Sequence, residues 1–162
     1  MIRGIALIFG LVLALVIQTS ILPVHVVAPF KPDLLLVAMV FLALRGPAVQ
    51  GALLAWTLGL IKDVFSGLYL GLNAFTFLII FLVIQSISDL LYAESGELFV
   101  VTVGAATLAC VSADMILLLM LTSTPGIGYS MLAGLLPHLL ANAFAASLVT
   151  LLPVFSSPQE VL

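Results

Sequence analysis

The side chains best suited to chemistry in this sequence are Asp63, Asp114 and His138, two carboxylates and an imidazole that could in principle relay a proton. His138 and Asn142 stand four residues apart, the spacing that puts two side chains on one helical face. Each feature also has a plainer meaning. An i, i+4 His–Asn pair is more often a packing hydrogen bond than a dyad, and isolated aspartates in apolar surroundings are more often satisfied core groups. Neither His25 nor His138 has metal-ligand spacing to the other or to Cys110. No glycine-rich phosphate loop, nucleophile elbow or HExxH run occurs. Cys110, the single cysteine, lies in an apolar run, can form no internal disulfide and reads as a small buried hydrophobe. The expectation is a non-enzyme with no cofactor and no metal.

What must position these residues follows from composition. Of 162 residues, 64% are hydrophobic and 7% charged, and the mean hydropathy is +1.43. A water-soluble domain draws about a quarter of its residues from the charged set, so much of this chain must have lipid as its solvent. Four unclustered Lys and Arg residues make no footprint for nucleic acid. The runs are continuous rather than alternating, which favours helices over a barrel.

Polar, Gly and Pro punctuation separates six apolar segments, at about 4–22, 30–44, 49–66, 70–88, 98–121 and 131–155. Most approach the ~20 residues needed to cross ~30 Å of hydrocarbon. The second is short enough to be tilted or partly re-entrant. The first is longer than a signal-peptide core and lacks an A-x-A site, so it reads as a retained span. The chain is expected to be all-α, a compact six-helix transmembrane bundle in which residues 1–162 make one integral membrane domain. Pro23, Pro29, Pro32, Pro47 and Pro125 fall in connections, while Pro137 and Pro153 are expected to kink or end the last segment. Arg3 and Arg45 lie on one side of such a bundle and Lys31 on the other, which puts both termini in the cytoplasm.

Alternating crossings then bring the polar residues to one depth. Gln18, Lys62, Asp63 and Asp114 are late in odd-numbered segments; Asp33, Asn73, His138 and Asn142 are early in even-numbered ones. All eight fall in the same half of the membrane. An aspartate near the bilayer centre costs roughly 2.5–3.5 kcal/mol, so these groups face protein or water. Lys62 and Asp63 are about 100° apart around a helix and do not face each other. Lys62 is expected to snorkel to the interface, leaving Asp63 to a neighbouring helix. The cluster is either a brace that fixes helix register or a pocket for a solute or partner segment, open to the outer face.

Small residues recur every four positions: Ala6, Gly10, Ala14 and Gln18 in the first segment; Gly51, Ala55, Gly59, Asp63 and Gly67 in the third. The fifth has Thr102, Ala106, Cys110 and Asp114, and the sixth Gly134, His138, Asn142 and Ala146. Such stripes let helices approach closely in lipid.

The stretch from Pro32 to Ala74 carries a resemblance. It opens with Pro32-Asp33-Leu34-Leu35-Leu36, passes Gly51 and Gly59-Leu60-Ile61-Lys62-Asp63, then Gly67, and closes on Leu70-Gly71-Leu72-Asn73-Ala74. This pattern, with Gln18 and Asp114, resembles the rod shape-determining protein MreD family. The resemblance implies a non-catalytic component of the bacterial elongation machinery in the inner membrane. Its expected partners are MreC, with MreB, RodA and a class B penicillin-binding protein as further members of the complex that directs lateral peptidoglycan synthesis. The family is also similar in architecture to the S components of energy-coupling-factor transporters, which supplies the rival expectation of a bound small solute. Against that rival, Trp56 lies nearer the other face, and Tyr69 and Tyr129 fall in connections.

Overall fold

The computed structural model describes residues 10–21, 30–66, 70–88, 95–121 and 127–151. Among them the chain is wholly helical. The helices are α1 (Gly10–Ser20), α2 (Leu34–Arg45), α3 (Ala48–Ser66), α4 (Leu72–Ile87), α5 (Gly96–Leu121) and α6 (Ile127–Thr150). Three contain windows long and apolar enough to cross a membrane: Ala48–Phe65, Gly96–Leu117 and Ala133–Thr150. The described parts of α1, α2 and α4 are shorter.

The shortest of the later helices is the centre of the molecule. Helix α2 is apolar all round, LLLVAMVFLALR, a pattern that demands burial on every side. It packs against α3, α4, α5 and α6, and Leu35, Leu36, Val37, Met39, Val40, Leu42 and Ala43 are buried. Its limits are set locally. Asp33 is the N-cap, accepting from the Leu36 amide, and Pro32 before it disfavours a longer helix at that end. At the other end the Gly46 N–H closes on the Leu42 carbonyl at 2.7 Å, and Pro47 then starts α3, its carbonyl accepting from Gly51. Arg45 in the last turn suits the negative end of the helix dipole, and its guanidinium lies 5.8 Å from the Phe41 ring centre. Phe41 in turn meets Phe99 edge-on, tying α2 to α5.

Helices α3 and α4 form a tight hairpin. A Cβ on Gly59 would fall on the Ala74 Cα and the Asn73 carbonyl oxygen, so only glycine permits this backbone approach. A Cβ on Gly51 would sit 2.5 Å from the tip of the Phe81 ring, and Ala55 between them is buried. The stripe of α3 therefore packs as its spacing implies, with Gly67 outside the described residues. On α5, Thr102, Ala106 and Cys110 are likewise buried. The other stripes divide. Gly10 and Gly134 have no atom near a would-be Cβ, Ala14 is half-buried, and Ala6 lies outside the described residues. Among the described residues, nothing fills the room beside Gly10 and Gly134.

Helix α6 starts at Ile127, earlier than the sequence implies, so Tyr129 belongs to a helix rather than a connection. It runs through Pro137 without ending there, although a proline at that point denies the Ala133 carbonyl its i+4 donor. The outer surface is strongly apolar: Leu136, Leu140, Phe144 and Leu148 make an exposed four-residue stripe on α6, and Phe75, Ile79, Leu82 and Val83 do so on α4. Water tolerates contiguous apolar area of that kind poorly, whereas acyl chains are matched to it.

Candidate functional site

The polar residues meet where α2 begins. A helix that starts inside an apolar bundle presents N–H groups with no intrahelical partner, and each left bare in that setting is costly. Here side chains from two other helices and the Asp33 cap itself satisfy three of them. The Asp33 N–H donates to Asn142 Oδ1 of α6 at 2.6 Å, and the Leu35 N–H donates to Gln18 Oε1 of α1 at 3.0 Å. The Leu36 N–H donates to Asp33 Oδ1 at 3.1 Å. Gln18 turns its other end to the same carboxylate, Nε2 donating to Asp33 Oδ1 at 3.2 Å. Its helix widens into a π turn over Ile17–Ile21, a local distortion that often marks a constrained position.

The second Asp33 oxygen takes the charge. Lys62 Nζ of α3 donates to Asp33 Oδ2 at 2.6 Å, with 23% of the lysine side chain exposed and 5% of the aspartate. The ammonium also sits 5.0 Å from the Phe77 ring centre, where the ring quadrupole adds attraction. Lys62 thus does not snorkel to the interface. The reason is that α2 begins beside it, so a carboxylate within reach compensates the charge more fully than a stretched path to headgroups would.

Asn142 joins a further helix, its Nδ2 donating to Thr107 Oγ1 of α5 at 3.0 Å, while Thr107 donates to its own helix at Val103. His138 Nδ1 lies 3.0 Å from the Lys31 carbonyl oxygen. A carbonyl can only accept, so Nδ1 carries the proton, and in the neutral ring Nε2 is left as an acceptor facing Asn142 Nδ2 at 3.5 Å. His138 therefore fixes the residues just before the α2 cap.

Asp63 forms an adjoining cluster. Its Oδ1 accepts from the Asn73 N–H and the Asn73 side-chain amide, both at 2.9 Å. Its Oδ2 accepts from Gly71 at 2.9 Å and Ala74 at 3.2 Å. A carboxylate holding the first N–H groups of α4 also opposes the positive end of that helix. Gly71 adopts φ +98°, a left-handed turn open to glycine at little cost, and this turn aims its N–H at Asp63. The motif Gly59, Asp63, Gly71, Asn73 is thus one device: close approach, cap, turn and latch.

Of the eight polar positions, Gln18, Asp33, Lys62, His138 and Asn142 share one network and Asp63 and Asn73 the adjacent one. Asp114 is set apart. It is within electrostatic range of Lys62, Asp33 and Asp63, yet its Oδ1 is shielded and finds no hydrogen-bond partner among the described residues. Thr107, the Lys31 carbonyl and the Phe77 ring are participants that sequence reading missed. Thr107 had a signal, since it stands seven residues, two turns, before Asp114 on the same face; a backbone carbonyl leaves none. Among the described residues no three His, Cys, Asp or Glu side chains group as metal ligands. The donors and acceptors are arranged to satisfy one another and to hold helix ends, the chemistry of a brace.

Fold and site together define an apolar helical protein knit by a polar layer at one end of its central helix. The rod shape-determining protein MreD family model matches residues 1–157, and the chain belongs to that family, whose role lies in bacterial cell shape at the membrane. No curated protein and no solved structure matches it.

Proposed function

We propose that the chain is a multi-pass scaffold of the bacterial inner membrane, with both termini in the cytoplasm. In this reading it binds MreC and so supports rod shape and lateral peptidoglycan synthesis alongside MreB, RodA and a class B penicillin-binding protein. One observation carries the reading: most of the polar side chains cap α2 and α4 from within or pair with the groups that do, while the outward faces of α4 and α6 are apolar. A molecule so built acts through its helix surfaces. Helix α2 has twelve residues, about 18 Å at 1.5 Å per residue, against ~30 Å of hydrocarbon. In a six-helix transmembrane bundle a helix of that length falls short of one interface, and this reading takes the capped end to be the one at depth, where the polar layer lets α2 start.

The rival, an S component holding a small solute, gains less support, because most of the groups that would read a solute already read one another. Extraction in mild detergent with MreC co-expressed separates the two. Recovery of MreC in a stable complex is the expected result. Recovery instead of a bound small molecule with an ATPase module would replace the scaffold by the transporter.

A further inference from the structure

Every proton in the bonds around Asn142 has an assigned place. The Thr107 hydroxyl gives its hydrogen to the Val103 carbonyl at 2.8 Å, so its oxygen accepts and takes Asn142 Nδ2 at 3.0 Å. Asn142 Oδ1 accepts the Asp33 N–H at 2.6 Å. The amide is thereby fixed at both ends, with Nδ2 also turned toward His138 Nε2 at 3.5 Å. The ring meets it as an acceptor, because Nδ1 carries the proton that goes to the Lys31 carbonyl oxygen at 3.0 Å. This chain of bonds requires a neutral ring. Thr107 and Asn142 are 0% exposed, whereas His138 is half-buried, so the ring is the end of the chain nearest its surroundings.

An imidazolium breaks this order. Its Nε2–H would point at the Asn142 amino group, two donors face to face. Turning the amide over presents Oδ1 to the ring but sets Nδ2 against the Asp33 N–H. The conflict then moves to the start of α2, where an unmet N–H is costly. Neighbouring charges do not relieve it. At this end of the elements packed against α6, the ionisable groups are Lys31 and Asp33 at the head of α2 and Cys110 and Asp114 on α5. Lys62 and Asp63 lie beyond them on α3, while Arg45 and Glu97 belong to the other end of α2 and α5. Lys31 gives the ring its carbonyl, and the Asp33 carboxylate is taken by Leu36, Gln18 and Lys62. Among the described residues, the ring bonds to Lys31 and Asn142 and to no carboxylate.

We propose that His138 is a proton-binding site that controls the start of α2. One proton taken up at Nε2 from water releases Asn142 from the Asp33 N–H and loosens α6 from the head of α2. The other two caps survive, because Gln18 holds Leu35 and Asp33 holds Leu36 without any atom of the ring. The response is therefore local, one bond lost at one helix end rather than a general unfolding in acid. An imidazole changes charge between about pH 5 and 8, so this joint follows the acidity on the side of the molecule where α2 begins. The inference goes beyond the scaffold reading and uses no partner.

Hydrogen exchange of the full chain in detergent, at about pH 8 and about pH 5, tests this, with each rate divided by the intrinsic amide rate at that pH. Protection of the first turn of α2, residues 33–36, is expected to fall roughly tenfold at the lower pH, the worth of one lost hydrogen bond. The α3–α4 hairpin should keep its protection. His138→Gln, whose amide gives to the Lys31 carbonyl and accepts from Asn142 without titrating, should show no fall. Asn142→Asp puts a carboxylate where the imidazolium proton points and should abolish the fall or reverse it. Asp114→Asn, outside the network, should fall as wild type does. Equal protection at both pH values in wild type would overturn the proposal. So would a fall that persists in His138→Gln, one that disappears in Asp114→Asn, or one spread equally over the hairpin. If His138→Gln fails to fold, Asn142→Asp decides; if neither folds, the place of the change in wild type and in Asp114→Asn still does.

Discussion

At the scale of single residues, Asp33 is the junction on which the layer turns. It caps its own helix, takes the Lys62 charge and receives Gln18, while its N–H holds Asn142. Removing one member of a shielded ion pair strands the other, at about 3–5 kcal/mol, whereas removing both costs less. Asp33→Ala and Lys62→Met should therefore each destabilise the detergent-purified protein, and the double variant should lose clearly less than their sum. Additive losses in thermal unfolding would show that the pair is not coupled. Asp63 presents a different balance: among the described residues its carboxylate accepts from Gly71, Asn73 and Ala74 backbone N–H groups and from the Asn73 side chain. Asp63→Ala should lower folded yield more than Lys62→Ala, because the Asp33 carboxylate left behind in the second case still has Gln18 and Leu36. Equal yields would refute this ordering.

At the scale of elements, two joints bear the fold. The α3–α4 hairpin depends on glycine where backbone meets backbone. Gly59→Ala must push α4 away, while Gly51→Ala meets only the tip of a ring. Overpacking typically costs about 1–3 kcal/mol; Gly59→Ala belongs at or above the top of that range and Gly51→Ala below it. Melting temperatures in the opposite order would argue against the hairpin contact. The second joint is the α2 start. Gln18→Leu leaves the Leu35 N–H without its acceptor, a loss of about 1–3 kcal/mol. It should show as faster hydrogen exchange confined to the first turn of α2, with the α3–α4 hairpin unchanged; no local change would mean that α1 does not cap α2.

At the scale of the whole molecule, apolar residues serve as both core and coat. The outward Phe144, 65% exposed, needs an apolar surrounding as surely as the buried Phe77 does. Phe144→Asp would place a charge against acyl chains, at roughly 2.5–3.5 kcal/mol near mid-membrane, and should reduce the membrane-integrated fraction. Ser147→Asp one turn farther round is a useful comparison, since its hydroxyl already bonds to its own helix. A Phe144→Asp protein that fractionates and folds like wild type would exclude lipid from that face.

What the sequence determined by itself was helicity, strongly apolar helices, and which costly side chains gather together. These follow from composition and run length, which act locally and through alternation of direction, so Gln18, Asp33, Asn73 and Asn142 could be assigned to one level without knowing any contact. The motif Gly59, Asp63, Gly71, Asn73 was visible as spacing, and its work as a hairpin latch needed only two neighbouring helices. Pairing across distant segments was beyond reach. That Lys62 meets Asp33 rather than the interface, that Thr107 receives Asn142, and that the twelve-residue α2 lies at the centre all depend on which helix lies beside which. Apolar helices in an apolar solvent carry little directional preference; packing of small residues and the few hydrogen bonds between helices decide their arrangement, and those are properties of the assembled bundle.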